Sequence, residues 1–195
     1  MKIRICMPSK RAPINLFTVQ CIADLLCANR HHDIKLTTET KLGISAARNR
    51  LAEKYLDADY ILWIDTDMMF RPNSLKKLLD CNKDIVSGLY FSRGYPFQPL
   101  ASHKVRGTNL FKPADVNKNG LIEVDAAGFG FMLIKKGVFD KIEKPWFVYK
   151  KTLGEDYYFC TKAKEAGFKV FVNCDVQCGH WTERAITIND WNNNL

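Results

Sequence analysis

The sequence lacks any long hydrophobic run: none of its apolar stretches approaches the roughly 20 residues that a membrane-spanning helix needs. It also lacks a signal-peptide pattern at its start, because residues 1–6 have the composition of a short strand and contain no apolar targeting segment. From these two absences we expect a cytoplasmic protein without a transmembrane segment.

The seven cysteines lack the dense, regular spacing of a secreted disulfide scaffold, and their number is odd. We therefore expect most of them to be reduced thiols in the core. The tightest group, Cys174, Cys178 and His180, offers three candidate zinc ligands. Structural zinc sites use four ligands and usually a closer cysteine pair, so a zinc site is the less favoured interpretation.

Acidic residues are fewer than basic ones, 21 against 29, which gives a formal net charge of +8. A field of this sign attracts polyanions such as nucleic acids, acidic membranes and phosphorylated metabolites. The Lys and Arg residues are scattered and do not form a basic run of about five to eight residues, which disfavours nucleic acid as the partner. With 47% hydrophobic residues, the 195-residue chain has the composition of one globular domain.

What the sequence does contain is an alternation of strand and helix patterns. This alternation predicts an α/β fold with a central, mostly parallel sheet flanked by helices. It is interrupted at residues 91–120, which are rich in Gly, Pro, Lys and Asn and show neither period; this segment is a candidate for substrate contact or a lid. The predicted strands are 3–7, 34–38, 60–64, 85–89, 121–125, 131–134 and 170–172, and the predicted helices are 13–28, 45–56, 73–80, 138–142 and 155–166.

Two aspartates follow the third predicted strand. Residues 60–64 lead directly into Asp65-Thr66-Asp67 at the carboxyl edge of the sheet, where α/β proteins bind ligands. In extended chain, residues two apart point to the same side, so we expect Asp65 and Asp67 to converge and Thr66 to point away. Converging carboxylates repel each other unless a cation neutralises them, and a divalent ion with open coordination positions would hold a diphosphate. The alternative is that Asp65 caps the following turn and Asp67 is solvated.

This segment, Ile64-Asp65-Thr66-Asp67 with the apolar residues 68–70 behind it, resembles the Asp-x-Asp motif of family-2-like GT-A glycosyltransferases. The resemblance extends in order over nearly the whole chain. It implies the Rossmann-like GT-A fold in a single domain. It also implies that Asp65 and Asp67 bind a divalent cation and that Ile64 and Thr66 lie beside the ribose and diphosphate of a nucleotide-sugar.

Segments upstream of the aspartates match the same family. Arg48 and Asn49 stand near the start of a predicted helix, whose first amides favour an anion, and the family holds its nucleotide with a similar pair. The loop Pro8-Ser9-Lys10-Arg11 corresponds to a Pro-containing loop that lies along the base. Where many relatives have an Asp that reads uracil, this chain has Thr38 and Glu39, so the resemblance leaves the choice between a UDP-sugar and a GDP-sugar open.

A glycine-containing segment, Gly128-Phe129-Gly130, precedes another predicted strand, and its small residues would let the backbone approach a ligand closely. The alternative is a plain turn. By resemblance, this segment lines the donor sugar and the acceptor. Trp181, near the end of the chain, either stacks on a sugar or packs in the core.

The acidic pair Glu155 and Asp156 opens a predicted helix, where acidic side chains are common because they complement the helix dipole. By resemblance, Asp156 is the catalytic base that removes the proton of the acceptor hydroxyl, and Glu155 orients the acceptor or a neighbouring group. The helix dipole would lower the pKa of Asp156, whereas burial and the acidic neighbour would raise it, and the sequence leaves the sign open.

A late histidine, His180, matches the family residue that completes the ligands of the cation. A nitrogen ligand beside carboxylate oxygens favours Mn2+, with Mg2+ as the other possibility. The resemblance thus implies an inverting, metal-dependent transfer of a sugar from a UDP- or GDP-sugar to a glycan, protein or lipid hydroxyl. We expect residues 1–90 to form the nucleotide-binding half of the domain and residues 91–195 the acceptor-binding half.

Three other functions stay open at this level. In a haloacid-dehalogenase-type phosphatase, Asp65 would be the nucleophile and Asp67 the acid/base, although that motif normally follows the first strand of the core. Nucleotidyl transfer would release pyrophosphate. A non-enzymatic basic binding module would bind polynucleotides with steep salt dependence, and this binding would survive the loss of Asp67.

Overall fold

Strands and helices alternate through the first half of the chain close to the predicted positions. The structure is a computed structural model that describes residues 1–9, 14–182 and 185–192. Helix α1 begins at Leu16, three residues later than predicted, because the side chain of Asn15 caps it by accepting a hydrogen bond from the Phe17 amide (2.8 Å). The elements of this half are β1 (Lys2–Pro8), α1 (Leu16–Ala28), β2 (Asp33–Glu39), α2 (Ile44–Lys54), β3 (Tyr60–Ile64), β4 (Met68–Met69), α3 (Ser74–Asp80) and β5 (Ile85–Leu89).

The second half contains more short strands than the sequence pattern predicts. Strand β11 is also longer than predicted, since it continues past residue 172 to Gln177. The elements are β6 (Ala101–Lys104), β7 (Phe111–Pro113), β8 (Leu121–Val124), β9 (Ala126–Ala127), β10 (Phe131–Lys135), α4 (Lys136–Lys141), α5 (Glu155–Glu165), β11 (Val170–Gln177), β12 (Gly179–Trp181), β13 (Ala185–Ile186) and α6 (Ile188–Asn192).

Seven strands form the central sheet, in the order β2-β1-β3-β10-β5-β11-β8. Strand β10 runs antiparallel to both of its neighbours, and β8 runs antiparallel to β11; the other five strands are parallel. The predicted fold class, an α/β fold with a mostly parallel central sheet, is therefore confirmed. The sequence pattern did not predict that β10 lies between β3 and β5.

Helices cover both faces of this sheet. Because side chains alternate along each strand, they pack into two separate apolar layers, one on each face. In β3, Trp63 points into the layer that contains buried residues of α2, α4 and α5. Its neighbour Leu62 points into the layer that contains buried residues of α1 and α3. Within the described residues, no helix is long and apolar enough to cross a membrane.

The segment 91–120, predicted to lack regular structure, contains β6 and β7, so the prediction is wrong for residues 101–104 and 111–113. These strands form a three-stranded antiparallel sheet with β9. Each is only three or four residues long, which is too short to show a side-chain period. Their backbone partners lie far along the chain and give no local signal.

A second small sheet decides the position of the late histidine. Strand β12 pairs with β4, so that His180 lies opposite Met68, the residue after Asp67. The amide of Trp181 donates a hydrogen bond to the Asp67 carbonyl (2.8 Å). This pairing brings His180 to the end of β3 although more than a hundred residues separate them in the chain.

Candidate active site

One cavity of about 350 Å³ opens where the parallel strands β1, β3 and β5 end and α5 begins. Parallel strands end at the same edge of a sheet, so residues that are distant in sequence meet there. Most of the residues predicted to be functional are among its walls. The lining residues are Pro8, Ser9, Ile44, Arg48, Asp65, Thr66, Asp67, Tyr90, Arg93, Leu100, Phe129, Glu155, Asp156 and His180.

The aspartate segment is a turn. Strand β3 ends at Ile64, and Asp65, Thr66 and Asp67 all line the cavity. The predicted alternation of these three residues therefore does not apply, because side chains alternate only while the chain stays extended and β3 ends before Asp65. The turn is held by two backbone hydrogen bonds, from the Asp65 amide to the carbonyl of Gly130 (3.0 Å) and from a backbone amide of the α1 cap to the carbonyl of Thr66 (2.9 Å).

A buried arginine joins the two acidic segments. Arg48 is 3% exposed and donates hydrogen bonds from Nη2 to Asp65 Oδ1 (3.1 Å) and from Nε to Glu155 Oε1 (3.3 Å). Its guanidinium packs over the rings of Phe129 and Trp63, 5.0 and 5.6 Å from their centroids. The third nitrogen, Nη1, is buried without a hydrogen-bond partner among the described residues. Because leaving a buried donor unpaired costs free energy, Nη1 is a candidate for a bond to a ligand.

Asp67 has two other partners. Its Oδ2 accepts a hydrogen bond from Arg93 Nη1 (2.9 Å) and lies 3.5 Å from His180 Nε2. Burial alone would raise the pKa of Asp67, but the hydrogen bond and charge of His180 and the charge of Arg93 together lower it below its ordinary value. For Asp65 the balance is the opposite: burial raises its pKa, although the charge of Arg48 acts against this. The two aspartates of the motif therefore differ in how strongly they hold their negative charge.

The tautomer of His180 follows from its partners. Its Nδ1 lies 2.8 Å from the carbonyl oxygen of Phe91, and since a carbonyl only accepts, Nδ1 carries the hydrogen. Nε2 then faces Asp67: in the imidazolium it donates to Asp67 Oδ2, which is the interaction that lowers the Asp67 pKa, and in the neutral ring it carries the lone pair that a cation between the two groups would accept. A ring held by a backbone carbonyl in this way is the usual arrangement of a metal-binding histidine.

The cavity contains carboxylate and imidazole groups of the kinds that bind a divalent cation, but in this structure they are not gathered around one point. Its described lining contains four carboxylates but only two guanidinium groups, so the wall has an excess of about two negative charges when His180 is neutral. Among the described residues, no three His, Cys, Asp or Glu side chains are close enough to form a ready-made cluster. Asp65, Asp67 and His180 line the same cavity. The predicted convergence of the two carboxylates is not seen, because Asp65 bonds to Arg48 whereas Asp67 bonds to Arg93 and lies near His180. The group Cys174, Cys178 and His180 does not form a cluster either.

The second acidic segment of the lining contains Asp156, in the first turn of α5. Its Oδ1 accepts a hydrogen bond from the Tyr157 amide (2.8 Å). Burial raises the pKa of Asp156 to about 6, with a further contribution from Glu155, while the charge of Arg48 acts in the opposite direction. Burial and the acidic neighbour therefore outweigh the helix terminus, which settles the sign that the sequence left open.

Tyr90 explains why glycines precede β10. Its hydroxyl accepts a hydrogen bond from the Gly130 amide (2.7 Å), and its ring makes an edge contact with His180 (centroids 5.5 Å apart). A Cβ atom on Gly128 would lie 2.1 Å from the Tyr90 hydroxyl, and one on Gly130 would lie 2.8 Å from the ring. The small residues therefore admit the side chain of Tyr90, and Phe129 between them contributes to the cavity wall.

Other residues with a predicted nucleotide or sugar role lie at different distances from this cavity. Asn49 uses its amide within the protein, since it donates to the carbonyls of Ser45 and Phe147 and accepts from the amides of Trp146 and Phe147. Trp181 packs against Phe17, with ring centroids 4.9 Å apart. Pro8, Ser9 and Thr66 line the cavity, and Ile64, just before the aspartates, is buried. Thr38 and Glu39 lie at the end of β2, paired with the end of β1, and are not part of the lining. Arg11 lies outside the described residues.

Four lining residues were not singled out from the sequence: Ile44, Tyr90, Arg93 and Leu100. Three of them follow β5, in or next to the segment 91–120 that was assigned to substrate contact as a whole. Their position after a buried parallel strand was the available signal, since such strands end at the ligand-binding edge.

Comparisons with known proteins agree with this architecture. The sequence profile described as glycosyl transferase family 2 matches residues 18–143, well over half of the chain. No curated protein shows significant sequence similarity to the chain.

Solved structures share the fold at low sequence identity. The crystal structure of A197 from STIV matches 97% of this chain and 92% of its own, with a TM-score of 0.69 and 19% identity. That of GalNAc-T7 with UDP, GalNAc and Mn2+ matches 99% of this chain with a TM-score of 0.59 and 14% identity, and this chain covers 47% of it. The inositol-1-phosphate CTP transferase from T. maritima matches 89% of this chain and 85% of its own, with a TM-score of 0.51 and 16% identity. The likeness to the first two identifies the fold as GT-A.

Proposed function

Because the chain belongs to glycosyl transferase family 2, we propose that it transfers a sugar from a nucleoside-diphosphate sugar to an acceptor hydroxyl, with a divalent cation and with inversion. The observation that supports this best is that two acidic centres line one cavity: Asp67 beside His180, and Glu155 beside Asp156. Such an arrangement offers ligands for a cation and a proton acceptor within one space that a donor sugar can enter.

The cation site would consist of Asp65, Asp67 and His180, with Mn2+ preferred over Mg2+ because one ligand is a nitrogen. When bound, the cation neutralises the diphosphate of the donor and of the leaving nucleotide. The excess of carboxylates in the lining would otherwise repel a diphosphate. GalNAc-T7, which shares the fold, was solved with UDP and Mn2+.

The nucleotide would lie against the ends of β1 and β3, in the half formed by residues 1–90. Pro8, Ser9 and Thr66 supply the wall there, and the unpaired Nη1 of Arg48 is a donor for a phosphate or ribose oxygen. Thr38 and Glu39 remain candidates for reading the base, because Glu39 pairs with Pro8 at the same edge of the sheet.

Asp156 would act as the base in an inverting displacement. It accepts the proton of the acceptor hydroxyl while that oxygen forms a bond to the anomeric carbon. The bond from this carbon to the diphosphate oxygen breaks, and the nucleoside diphosphate leaves with the electron pair. A pKa of about 6 leaves Asp156 mostly ionised at pH 7 and makes it a stronger base than an ordinary aspartate. Glu155, held by Arg48, would orient the acceptor, and Phe129 and the neighbouring glycines would face the sugar.

A thermal-shift titration with UDP, GDP and their sugars, each with and without Mn2+, tests the donor site. We expect one nucleotide to raise the melting temperature only when Mn2+ is present, because binding to the folded state stabilises it. Asp67→Ala should abolish this shift. The matched control is Asp80→Ala, which removes an exposed carboxylate paired with Lys76 and should leave the shift intact. A nucleotide shift that is independent of the cation, or that survives Asp67→Ala, would contradict the proposed cation site.

The released product separates sugar transfer from the other reactions of an Asp-x-Asp site. Sugar transfer releases a nucleoside diphosphate, nucleotidyl transfer releases pyrophosphate, and a phosphatase releases inorganic phosphate. Pyrophosphate must be measured as well as nucleoside diphosphate, because the chain shares its fold with a CTP transferase. Pyrophosphate as the only product would exclude glycosyl transfer.

A further inference from the structure

A second cavity, of about 380 Å³, forms a groove along α5, the helix whose first turn contains the acidic pair. The amide of Tyr158 in its wall donates a hydrogen bond to the carbonyl of Gly154 (2.9 Å), which precedes Glu155. Tyr158 is therefore one helical turn, about 5 Å along the axis, from the start of α5. The groove is lined by Lys104, Asn109, Phe111, Lys150, Thr152, Leu153, Tyr158, Thr161, Lys162 and Glu165.

The groove is basic. Lys104, Lys150 and Lys162 face a single carboxylate, that of Glu165. Two of the ammonium groups approach the same aromatic ring: Lys150 Nζ lies 4.7 Å and Lys162 Nζ 5.8 Å from the centroid of Tyr158. Lys162 donates to backbone carbonyls, and none of the three lysines has a carboxylate partner in the described part of the chain.

What sets the groove apart is the gathering of such lysines on one cavity. Single lysines elsewhere either pair with carboxylates, as Lys2 does with Asp57 (2.7 Å), or contact only a ring, as Lys54 does with Tyr55. Three unpaired ammonium groups around one cavity repel one another, and an anion placed between them removes that repulsion. The groove therefore has the electrostatic character of an anion site.

The walls of the groove are held in place by the backbone. Lys150 and Leu153 exchange two backbone hydrogen bonds (2.9 and 3.0 Å), which fix the short turn between them. Lys104 lies opposite Phe111 in the pairing of β6 with β7, and the Phe111 ring packs against Tyr157 (centroids 4.9 Å apart). A site whose walls are already ordered loses less conformational entropy on binding.

We propose that this groove binds a carboxylate, sulfate or phosphate group of the acceptor, and that the acceptor is an acidic glycan. The inference rests on the proposed function, because it requires the acceptor hydroxyl to reach Asp156. Strand β6 connects the two cavities: Leu100, just before it, lines the active-site cavity, and Lys104 at its end lines the groove, about 13 Å further along the strand. A hexasaccharide is long enough to span this distance. The side chains of Tyr158 and Phe111 add apolar surface to the wall of the groove, which suits sugar rings.

Direct binding of oligosaccharides tests the proposal without any donor. The probes are a carboxylated hexasaccharide of alternating glucuronic acid and N-acetylglucosamine, its sulfated analogue and a neutral hexasaccharide of N-acetylglucosamine. We expect an acidic probe to bind more tightly than the neutral one and to weaken as the salt concentration rises. The double variant Lys104→Gln/Lys150→Gln should weaken acidic binding by about tenfold.

The control Lys54→Gln/Lys76→Gln removes the same charge outside the groove. It includes a matched contact, because Lys54 Nζ lies 5.3 Å from the ring centroid of Tyr55. This variant should bind acidic probes like the unsubstituted protein. Equal affinity for neutral and acidic probes, or an equal loss in both double variants, would overturn the proposal. Tighter binding of a single-stranded oligonucleotide of the same charge would assign the groove to nucleic acid and would also overturn it.

Failure of this inference can be distinguished from failure of the proposed function. Nucleoside diphosphate release from the donor should be unchanged in Lys104→Gln/Lys150→Gln when water is the acceptor. If acidic probes do not bind but the donor is still hydrolysed, the groove proposal is wrong and the transferase proposal stands. If acidic probes bind and no nucleotide-sugar is bound or cleaved, the transferase proposal is wrong.

Discussion

The two acidic centres of the cavity differ in how readily they hold a negative charge. The pKa of Asp67 is lowered, whereas burial raises that of Asp156 to about 6. Burial acts in the same direction at both residues, so their neighbours make the difference. Asp67 faces the imidazole of His180 and the guanidinium of Arg93, while Asp156 stands next to the carboxylate of Glu155.

Under the proposed function, this contrast would give different tasks to two residues of the same type. A carboxylate that stays charged is suited to holding a cation, and one that titrates near neutral pH is suited to accepting a proton. The positions of cationic side chains, and not the residue type, therefore separate the roles. Arg48 stands between the centres and contacts Asp65 on one side and Glu155 on the other.

The largest expected effect comes from removing the proton acceptor. Asp156→Asn should lower kcat for nucleoside diphosphate release by about 10²- to 10⁴-fold, because general-base catalysis contributes that much. The thermal shift produced by nucleotide and Mn2+ should persist, since the other centre is unchanged. A variant with normal kcat, or one that loses nucleotide binding as well, would show that the two centres do not have separate tasks.

Removing the guanidinium of Arg48, which Asp65 and Glu155 share, should have the next largest effect. Arg48→Met leaves Asp65 and Glu155 without their partner, and breaking a buried ion pair in this way costs about 3 kcal/mol. For a chain of this size, we expect the melting temperature to fall by roughly 6–12 °C. The control is Arg50→Met in the same helix, because the Arg50 side chain is 67% exposed and its pair with Glu39 is 3.5 Å long; it should change stability by about 0.5 kcal/mol or less. Equal losses in both variants would contradict the role of Arg48.

The smallest effect concerns the pH dependence of stability. The pKa of Asp156 is higher in the folded protein than in the unfolded chain, so its ionisation destabilises the folded state above pH 6 and has no effect below about pH 4. Asp156→Asn removes this destabilisation. The variant should therefore be more stable than the unsubstituted protein at pH 8, by about 1–2 kcal/mol, and equally stable at pH 4. Denaturant unfolding at the two pH values measures this difference, and a gain of equal size at both would show that ionisation is not its cause.

Much of the fold was predictable because its signals are local. The apolar runs of β1, β3 and β5 and the helical spacing in α1 and α5 appear in single short stretches of sequence, and the structure has these elements close to the predicted bounds. The same patterns could not predict β4, β6 or β7, or that β10 lies between β3 and β5. Pairing between distant segments leaves no hydrophobic periodicity in the sequence of either segment. The family resemblance is confirmed by the profile match and the shared GT-A fold.

The candidate site divides in the same way. The position of Asp65 and Asp67 after an apolar strand, and of Asp156 at a helix start, could be inferred from neighbouring residues alone. Tyr90 and Arg93 had only the general signal of following a buried parallel strand, and their approach to the cavity depends on the course of residues 90–100 after β5. The amide of Asn49 was predicted to hold the nucleotide but is used by backbone groups of residues 146 and 147, a contact that only the folded chain creates.

The sequence by itself determined the α/β alternation, the acidic turn at the end of β3 and the acidic first turn of α5, because each depends on side chains within a few residues. Only the tertiary structure decided that His180 reaches Asp67, that Arg48 is buried between Asp65 and Glu155, and that the pKa of Asp156 rises. These features depend on burial and on charges brought together from distant parts of the chain, and both quantities exist only once the sheet has formed.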